Sequence, residues 1–447
     1  SMPDGAVPDG SVPDGSVEPS CTDGQQNGDE TGVDCGGSCS ECITEWARSF
    51  GGTDGDNSIA IGVDSVNNLY VTGTFQGTID FGGDPLVGTE GTDEVFLASF
   101  DSHGMHRWSK LVSLPDGNKT AYDLAIDSND NVVIVANVTF FGTISSIHSY
   151  DSNGNLRWTQ SLGNGSDELG VYMRSVSTDA NGDVYVVGSY SGVFGQDQSH
   201  HWSQDMFVVR FDGNTGAELW RTAYGSPTTD VGLDIVVAPD GSYFITGTYD
   251  GDIYIAAFDS DAQQSRWELR ISSAGQNSGQ AIALVGNNQL LVGGTFEQQV
   301  DFGTGMHTSN GATDGFLVSL DPVTAQIQWA KQFGGTDVEE VHDIYVTEAG
   351  KVLLSGAYHG TFNIEGTPFT GQGSWDAYVV SYDALSGAYD AWQNYGGSGE
   401  DRGYGLALDQ HGTMYMTGNY SESIELAGET LTSVGDSDIF FMRTIEP

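Results

Sequence analysis

The sequence predicts an all-β fold, a seven-bladed β-propeller with four antiparallel strands per blade, on the strength of three observations. Gly contributes 63 residues and aromatic residues 11% of the chain, which favours strands joined by tight turns over helices. Three strand patterns recur with a common period of about 50 to 60 residues, as repeat architectures do. A fourth pattern opens with a Trp and occurs seven times, at Trp46, Trp108, Trp158, Trp220, Trp267, Trp329 and Trp392.

Each predicted blade is read from its four recurring strands. In blade 1 the first three are Ser58–Asp64, Asn68–Phe75 and Glu94–Asp101, and the Trp segment is the fourth. The second and third strands are apolar nearly throughout, as expected where neighbouring blades cover both faces of a sheet. The intervening turns carry the Asp, Asn and Gly of tight hairpins. Four such strands in each of seven repeats form the blades of a β-propeller.

The two ends of the repeat region predict how the ring closes. The last blade stops after Asp438–Thr444 and so has only three strands of its own, while the Trp46 segment precedes the first complete blade. Pairing the Trp46 strand with the last blade removes an open sheet edge. We therefore expect a propeller domain over residues 44–447, closed by the strand near Trp46.

Two sets of loops are expected to share one face of the propeller. The loops that enter each first strand are rich in carboxylates, and if they converge they form an acidic rim that attracts cations. The alternative is that they are ordinary polar turns. The candidate rim residues are Asp54, Asp56, Asp337, Glu340 and Asp401.

The loops between the second and third strands differ in length. Blades 1, 5, 6 and 7 carry insertions in which alternating residues flank a Gly-rich centre, which predicts small β-ribbons. The insertion of blade 3 contains His201 and Trp202. Trp202 and Trp375 would either stack on a sugar or peptide or pack the ribbons. Variable loops on a rigid frame are a candidate ligand face.

Residues 1–20 and 21–43 are predicted to form separate N-terminal segments. The first repeats Pro, Asp and Gly with too little apolar surface to fold, and so predicts a flexible linker. The second is too short for a hydrophobic core and holds all four cysteines, at Cys21, Cys35, Cys39 and Cys42. Four cysteines allow three disulfide connectivities. We favour Cys21 with Cys39 and Cys35 with Cys42, because joining Cys39 to Cys42 would close a very small ring.

The cysteine-rich segment is also a candidate calcium loop. Its oxygen ligands are closely spaced and interrupted by Gly, as a hard cation requires, although the spacing is not that of an EF-hand. The alternative is a set of solvated acidic turns, and a zinc site is disfavoured because no His is near. The candidate calcium ligands are Asp23, Asn27, Asp29, Glu30 and Asp34.

Charge and cysteine placement bear on partners and compartment. Against 62 Asp and Glu stand only 14 Lys and Arg, for a net charge of −48, which excludes nucleic acid as an expected partner. No run of about 18 apolar residues is present, so we expect no membrane span. The clustered cysteines indicate an exported protein, so we expect an extracellular or cell-surface location, and a signal or lipid anchor ahead of this sequence in the natural chain.

Three stretches resemble known families. The patterns AxxVDxxxNxYVTGxF, DxFLxxFDxxG and WxxxFGG, over about nine tenths of the chain, resemble a bacterial surface repeat family of seven-bladed β-propellers. Residues 21–42 resemble the CxDGxxNGxETDVDCGGxCxxC segment of Gram-negative surface proteins, with Gly32 in place of an Asp. Phe211–Trp220 is similar to the LDAxTGxxxW repeat of quinoprotein dehydrogenases, although their adjacent cysteine pair is missing.

These patterns lead to one main functional hypothesis. We expect an exported, monomeric and non-enzymatic binding, adhesion or scaffold module, with calcium as its stabilising ion and a glycan, protein or matrix ligand on the loop-rich face. The sequence contains no nucleophile elbow, paired-His zinc motif or phosphate loop. A polysaccharide hydrolase or lyase that uses carboxylates on that face is the alternative, and a quinone-dependent oxidoreductase is a weaker one.

Overall fold

A computed structural model describes Gln26, Ser38 and residues 45–139, 142–163, 169–192, 201–261, 264–445 and 447. The chain divides into two compact units, Ser1–Glu45 and Trp46–Pro447. The described part of the second unit is built from β-strands and turns without a helix. No helix among the described residues has the length and hydrophobicity needed to cross a bilayer.

The first strand and the first three blades follow the predicted repeat. Strand β1 is Trp46–Phe50. Blade 1 holds β2 (Asn57–Val63), β3 (Leu69–Phe75), a ribbon of β4 (Thr78–Ile79) and β5 (Leu86–Val87), β6 (Glu94–Phe100) and β7 (His106–Leu111). Blade 2 holds β8 (Asn118–Ile126), β9 (Val132–Thr139), β10 (Thr143–Tyr150) and β11 (Leu156–Leu162). Blade 3 holds β12 (Leu169–Thr178), β13 (Val184–Gly192), β14 (His201–Phe211) and β15 (Glu218–Tyr224).

Blades 4 and 5 continue the same order. Blade 4 holds β16 (Asp230–Val237), β17 (Tyr243–Tyr249), β18 (Asp252–Phe258) and β19 (Ser265–Ile271). Blade 5 holds β20 (Ser278–Val285), β21 (Gln289–Phe296), a ribbon of β22 (Gln299–Asp301) and β23 (Met306–Thr308), β24 (Asp314–Leu320) and β25 (Ile327–Phe333).

Blades 6 and 7 each carry a longer ribbon. Blade 6 holds β26 (Glu339–Val346), β27 (Lys351–Tyr358), a ribbon of β28 (Thr361–Ile364) and β29 (Thr367–Thr370), β30 (Asp376–Asp383) and β31 (Tyr389–Tyr395). Blade 7 holds β32 (Asp401–Leu408), β33 (Met414–Tyr420), a ribbon of β34 (Ser423–Leu426) and β35 (Glu429–Thr432), and β36 (Asp438–Thr444). The seven blades with four antiparallel strands each confirm the predicted fold.

Strand β1 completes blade 7, as the strand count predicted. The sheet order is β1, β36, β33 and β32, and the β1–β36 register runs antiparallel from Trp46 opposite Arg443 to Phe50 opposite Ile439. The Phe50 ring stacks on Phe441 with 5.6 Å between centroids. The ring is therefore closed by hydrogen bonds and apolar packing between the two ends of the propeller.

The repeated Trp joins neighbouring blades at the rim. Its indole nitrogen donates to a backbone carbonyl in the turn between the third and fourth strands of the next blade, and we call this contact the indole latch. The five latches are Trp46 to Ser102 at 3.3 Å, Trp108 to Ser152 at 3.1 Å, Trp158 to Gly213 at 2.9 Å, Trp267 to Pro322 at 2.9 Å and Trp329 to Leu385 at 3.1 Å.

One turn shows why the latch needs Gly. Gly216 has φ +70°, and a Cβ built there would lie 2.6 Å from the Trp158 ring. The left-handed backbone and the close ring both favour a residue without a side chain. Phe211–Trp220, the segment similar to quinoprotein repeats, is therefore the turn that receives the Trp158 latch together with the strand that follows it. Packing between blades therefore accounts for the similarity of this segment to the quinoprotein repeat.

Candidate functional site: the axial channel and the ribbon face

A channel of about 610 Å³ runs along the propeller axis and is lined by the first strands of all seven blades. In each first strand the pairing register shifts, which leaves one residue unpaired in blades 1 to 6 and two in blade 7. Such bulges re-aim side chains. The residues at the bulges include Ile59, Tyr122, Arg174, Leu233, Gln280, His342 and Tyr404. Four of these seven side chains carry a ring or a guanidinium, namely Tyr122, Arg174, His342 and Tyr404.

Three aspartates, one each on blades 2, 4 and 6, connect adjacent blades around this channel. Each accepts a hydrogen bond from the backbone of the following blade: Asp123 from Val176 N at 2.8 Å, Asp234 from Ile282 N at 2.7 Å and Asp343 from Leu406 N at 2.8 Å. We call these contacts the aspartate ties. The same three carboxyls also accept from the backbone nitrogen of the next residue in their own strand.

The three carboxyl groups of the aspartate ties have raised pKa values. Burial, reinforced by the neighbouring Asp234 carboxyl, raises the pKa of Asp123 to about 8. Burial likewise raises the pKa of Asp234 to about 7 and that of Asp343 to about 6. Ser175 Oγ lies 2.9 Å from Asp123 and 2.6 Å from Asp234. The Ser175 hydroxyl has one proton and can donate it to only one of these two carboxyls. The other carboxyl is therefore protonated and donates to Ser175 Oγ.

Glu340 organises a charged cluster at the channel mouth, between blades 6 and 7. It contacts Arg402 Nη1, and its Oε2 lies 3.2 Å from His342 Nε2. His342 Nδ1 is 2.7 Å from the Gly403 carbonyl, and its ring stacks on Tyr404 at 4.6 Å. Burial opposes ionisation of Glu340, but His342 and Arg402 more than offset it and hold its pKa below the usual value. Glu340 is therefore a paired carboxylate.

Trp375 lies beside this cluster on the loop-rich face. The Arg402 guanidinium covers its ring at 4.0 Å, and the His359 ring meets it edge-on at 6.0 Å. His359 Nδ1 is 3.6 Å from Asp337 Oδ2, and both side chains are half-exposed. Trp375 thus packs against Arg402 and His359, and the half-exposed Asp337 lies next to His359.

The remaining rim candidates separate into buried and exposed groups. Asp54 is exposed. Asp56 and Asp401 are fully buried and accept from the backbone nitrogens of Gly52 at 2.6 Å and Gly397 at 2.7 Å, four residues earlier. Burial raises the pKa of Asp56 to about 7 and that of Asp401 to about 8. These two carboxyls shape their loops from within, so the expectation that they form an exposed acidic rim is wrong.

The predicted ribbons are present in blades 1, 5, 6 and 7, which are consecutive around the ring. The first strand of each ribbon turns apolar side chains against the preceding blade, as shown by the buried Ile79, Val300, Phe362 and Ile424. The second strand is mainly exposed. The ribbons therefore form one continuous arc that is anchored on one side and open to solvent on the other.

Several predicted residues lie where the structure does not test them. The candidate calcium ligands Asp23, Asn27, Asp29, Glu30 and Asp34 and the four cysteines fall outside the described residues. His201 and Trp202 lie on β14, but their side chains are also outside the described part. Over residues that are described, no three His, Cys, Asp or Glu side chains come together in a way that could hold a metal ion.

The fold and channel define the class of this protein as a seven-bladed β-propeller. No family model matches the chain. The regulatory protein FlaEY of Caulobacter vibrioides is 25% identical over 440 residues, which cover 84% of this chain and 44% of that protein. The uncharacterized WD repeat-containing protein L264 of Acanthamoeba polyphaga mimivirus is 23% identical over 264 residues, which cover 46% of this chain and 19% of that protein.

The chain thus spans less than half the length of these relatives. Among solved structures, the Dos1 propeller superposes with a TM-score of 0.51 at 10% identity, and the match covers 89% of this chain and 95% of that one. At this identity the likeness shows the fold alone. A β-propeller of this kind is consistent with a binding or scaffold role.

Proposed function

We infer that this chain is an exported binding or scaffold module whose ligand surface is the ribbon arc of blades 5, 6, 7 and 1, together with Trp375. The observation that carries the proposal is the grouping of all four ribbons on consecutive blades, with their second strands exposed. In propellers and other β-folds, ligands commonly bind to loops and insertions that a rigid frame holds on one side.

The chemistry of this surface fits a neutral or cationic glycan, protein or matrix ligand. The net charge of −48 repels polyanions at long range. Trp375 offers a large rigid contact area, and the half-exposed Asp337 and His359 beside it supply polar partners. Aromatic anchors bordered by polar groups are typical of binding hot spots.

Export and calcium belong to the same proposal and rest on composition. Four cysteines within residues 21–42 fit an oxidising compartment. The carboxylates and amide between Asp23 and Asp34 supply the oxygen ligands that calcium prefers. The hydrolase or lyase alternative gains no support from Asp56 and Asp401, because both are buried within loops.

The ligand surface is tested by array screening followed by a matched pair of substitutions. Glycan and protein arrays are probed with the full chain, with and without a calcium chelator. Met306→Asp alters an exposed ribbon residue, whereas Met105→Asp alters an equally exposed residue on the opposite face, the exposed fractions being 62% and 61%. We expect Met306→Asp and Trp375→Ala to weaken binding about tenfold or more.

Met105→Asp is expected to leave binding unchanged. Equal loss from both methionine variants would contradict the ribbon arc as the ligand surface. Turnover of a polysaccharide without stable binding would favour the hydrolase alternative. Undiminished binding in chelator would remove calcium from the proposal and leave the binding role intact.

A further inference from the structure

Arg174 is a cation in the channel that has no ionic partner among the described residues. It is one of only 14 Lys and Arg in the sequence. Its guanidinium lies over the Tyr122 ring at 4.7 Å, and its Nε is buried without a hydrogen-bond partner among the described residues. Leaving a buried donor unsatisfied costs free energy. The fold therefore retains a charged group that its own described residues do not satisfy.

Two other cations of this protein are paired with carboxylates. Lys119 Nζ lies 2.9 Å from Glu94 across the junction of blades 1 and 2, and both side chains are almost fully buried. Arg210 Nη2 lies 3.0 Å from Asp179 and 2.7 Å from Asp183. Arg443, which is buried, likewise has an Nε without a hydrogen-bond partner among the described residues. Arg174 differs from the two paired cations because it is part-buried on the channel wall and has no carboxylate partner within the described chain.

The aspartates lining the same channel do not fill this role. Asp123 and Asp234 flank Arg174 in the ring of blades, on blades 2 and 4, but their oxygens accept from Ser175, Val176 and Ile282. Raised pKa values of about 8 and 7 also leave them partly protonated at neutral pH. The channel is therefore less negative around Arg174 than its composition suggests.

Gln280 provides a second unsatisfied group on the channel wall. Its Oε1 is buried and has no hydrogen-bond partner among the residues described. Arg174 and Gln280 belong to the equivalent bulges of blades 3 and 5, so both line the one cavity. The channel thus presents a planar cationic donor and a neutral acceptor.

We propose that the axial channel binds a small organic carboxylate, which pairs with the Arg174 guanidinium and donates a hydrogen bond from a hydroxyl or N–H group to Gln280. A guanidinium matches the planar, two-oxygen geometry of a carboxylate. The channel volume of about 610 Å³ falls in the range of small-molecule sites. This site is separate from the ribbon arc, and its failure would leave the proposed function unaffected.

Calorimetry with three carboxylates and their uncharged counterparts tests the site. The probes are glycolate, malate and galacturonate, each of which carries a carboxylate and a hydroxyl, and the counterparts are glycolamide, malamide and galactose. We expect at least one carboxylate to bind and its counterpart not to. Arg174→Gln should weaken that binding about 10- to 100-fold, and Gln280→Ala should weaken it less.

Arg221→Gln is the matched control, because it removes the same charge from blade 3 at an exposed pair with Glu218. It should bind the probe as the unaltered protein does. Without ligand, Arg174→Gln should melt at the same temperature or higher, since it removes an unpaired charge. Equal binding of the counterparts, no binding of any carboxylate, or a large loss of stability in Arg174→Gln would overturn the proposal.

Discussion

Two rings of contacts hold the blades together, and they differ in chemistry. The indole latches lie at the rim and use a neutral donor whose protonation does not change with pH. The aspartate ties lie at the channel and use Asp123, Asp234 and Asp343, whose pKa values are all raised. The outer ring is therefore insensitive to pH, while the inner ring couples blade contacts to proton binding.

The two rings also differ in how they repeat. Within the described part of the chain, latches occur at five of the seven Trp positions. Ties occur on blades 2, 4 and 6, and the equivalent positions elsewhere are Ala60, Ser175, Ala281 and Gly405. A rim contact can recur wherever a turn joins the third and fourth strands of the next blade, and blade 7 lacks this turn because its third and fourth strands are β36 and β1. Around a narrow channel, fewer carboxyls limit the mutual repulsion of buried charge.

Removing the closing strand should have the largest effect on either ring. Deleting residues 46–50 takes away one latch and the aromatic packing of Trp46 and Phe50 on Phe441. We expect a loss of about 4 kcal/mol or more in unfolding free energy, at roughly 1.5–3 kcal/mol for each large buried side chain. Denaturant unfolding measures it. A variant lacking residues 1–20 is the control, and an unaltered midpoint after deletion of residues 46–50 would contradict closure by β1.

Breaking one aspartate tie should come next. Asp234→Ala removes the acceptor for Ile282 N and a partner of Ser175, leaving buried donors unsatisfied, so we expect a loss of about 2–4 kcal/mol. Asp240→Ala serves as control, because this exposed carboxyl bonds only to Ser242 within its own turn. If both variants lose the same stability, the tie contributes no more than a local turn.

The inner ring predicts a dependence of stability on pH. Because the folded pKa values of about 6 to 8 lie above the unfolded value of about 3.9, protons bind the folded state more tightly. The stability gained from this is fully present below pH 4 and is lost as the pH rises to about 8. The unfolding temperature should therefore fall between pH 5 and pH 9 at constant ionic strength.

A variant with Asp123→Asn, Asp234→Asn and Asp343→Asn should show a flatter pH profile. High salt screens the general repulsion of a chain with net charge −48. The dependence of the unfolding temperature on pH that persists in high salt is therefore due to buried groups. A melting temperature that rises with pH in the unaltered protein would contradict the assigned protonation.

Cutting a single latch should have the smallest effect. Trp158→Phe removes the bond to the Gly213 carbonyl, which still accepts from Arg157 at 3.0 Å. We expect a loss of about 1 kcal/mol. Trp220→Phe is the matched control, since its buried indole nitrogen has no partner among described residues. A larger loss at Trp220 than at Trp158 would show that ring packing, not the hydrogen bond, determines the contribution of the latch.

The strands that carry the outer ring could be predicted from the sequence because they are periodic, whereas the indole latches themselves were not predicted. Recurring Trp, turn and strand patterns fixed the blade number, the strand order and the closure by Trp46. The ribbons were also visible, as alternating residues around Gly, although their packing on the preceding blade was not. Periodicity records which positions are equivalent, but not which side of a strand faces a neighbouring blade.

The inner ring was missed for the same reason. Asp123, Asp234 and Asp343 each interrupt an apolar strand at the same position of the repeat, a signal that comparison of the seven first strands would reveal. Arg174 had no such signal, because its meaning depends on lacking a partner in three dimensions. Asp56 and Asp401 were misassigned because a carboxylate in a polar loop has the same sequence pattern whether it faces solvent or bonds inward.

The closing strand also determines how the propeller responds to force. Trp46, at the start of β1, lies opposite Arg443 near the end of β36. The chain therefore enters β1 and leaves β36 at the same end of this strand pair. Tension applied between them opens the five residue pairs one after another, as a zipper opens, rather than loading them together. If the N-terminal side is tethered and the C-terminal side is pulled, blade 7 loses its outer strand first, while the other six blades bear little load.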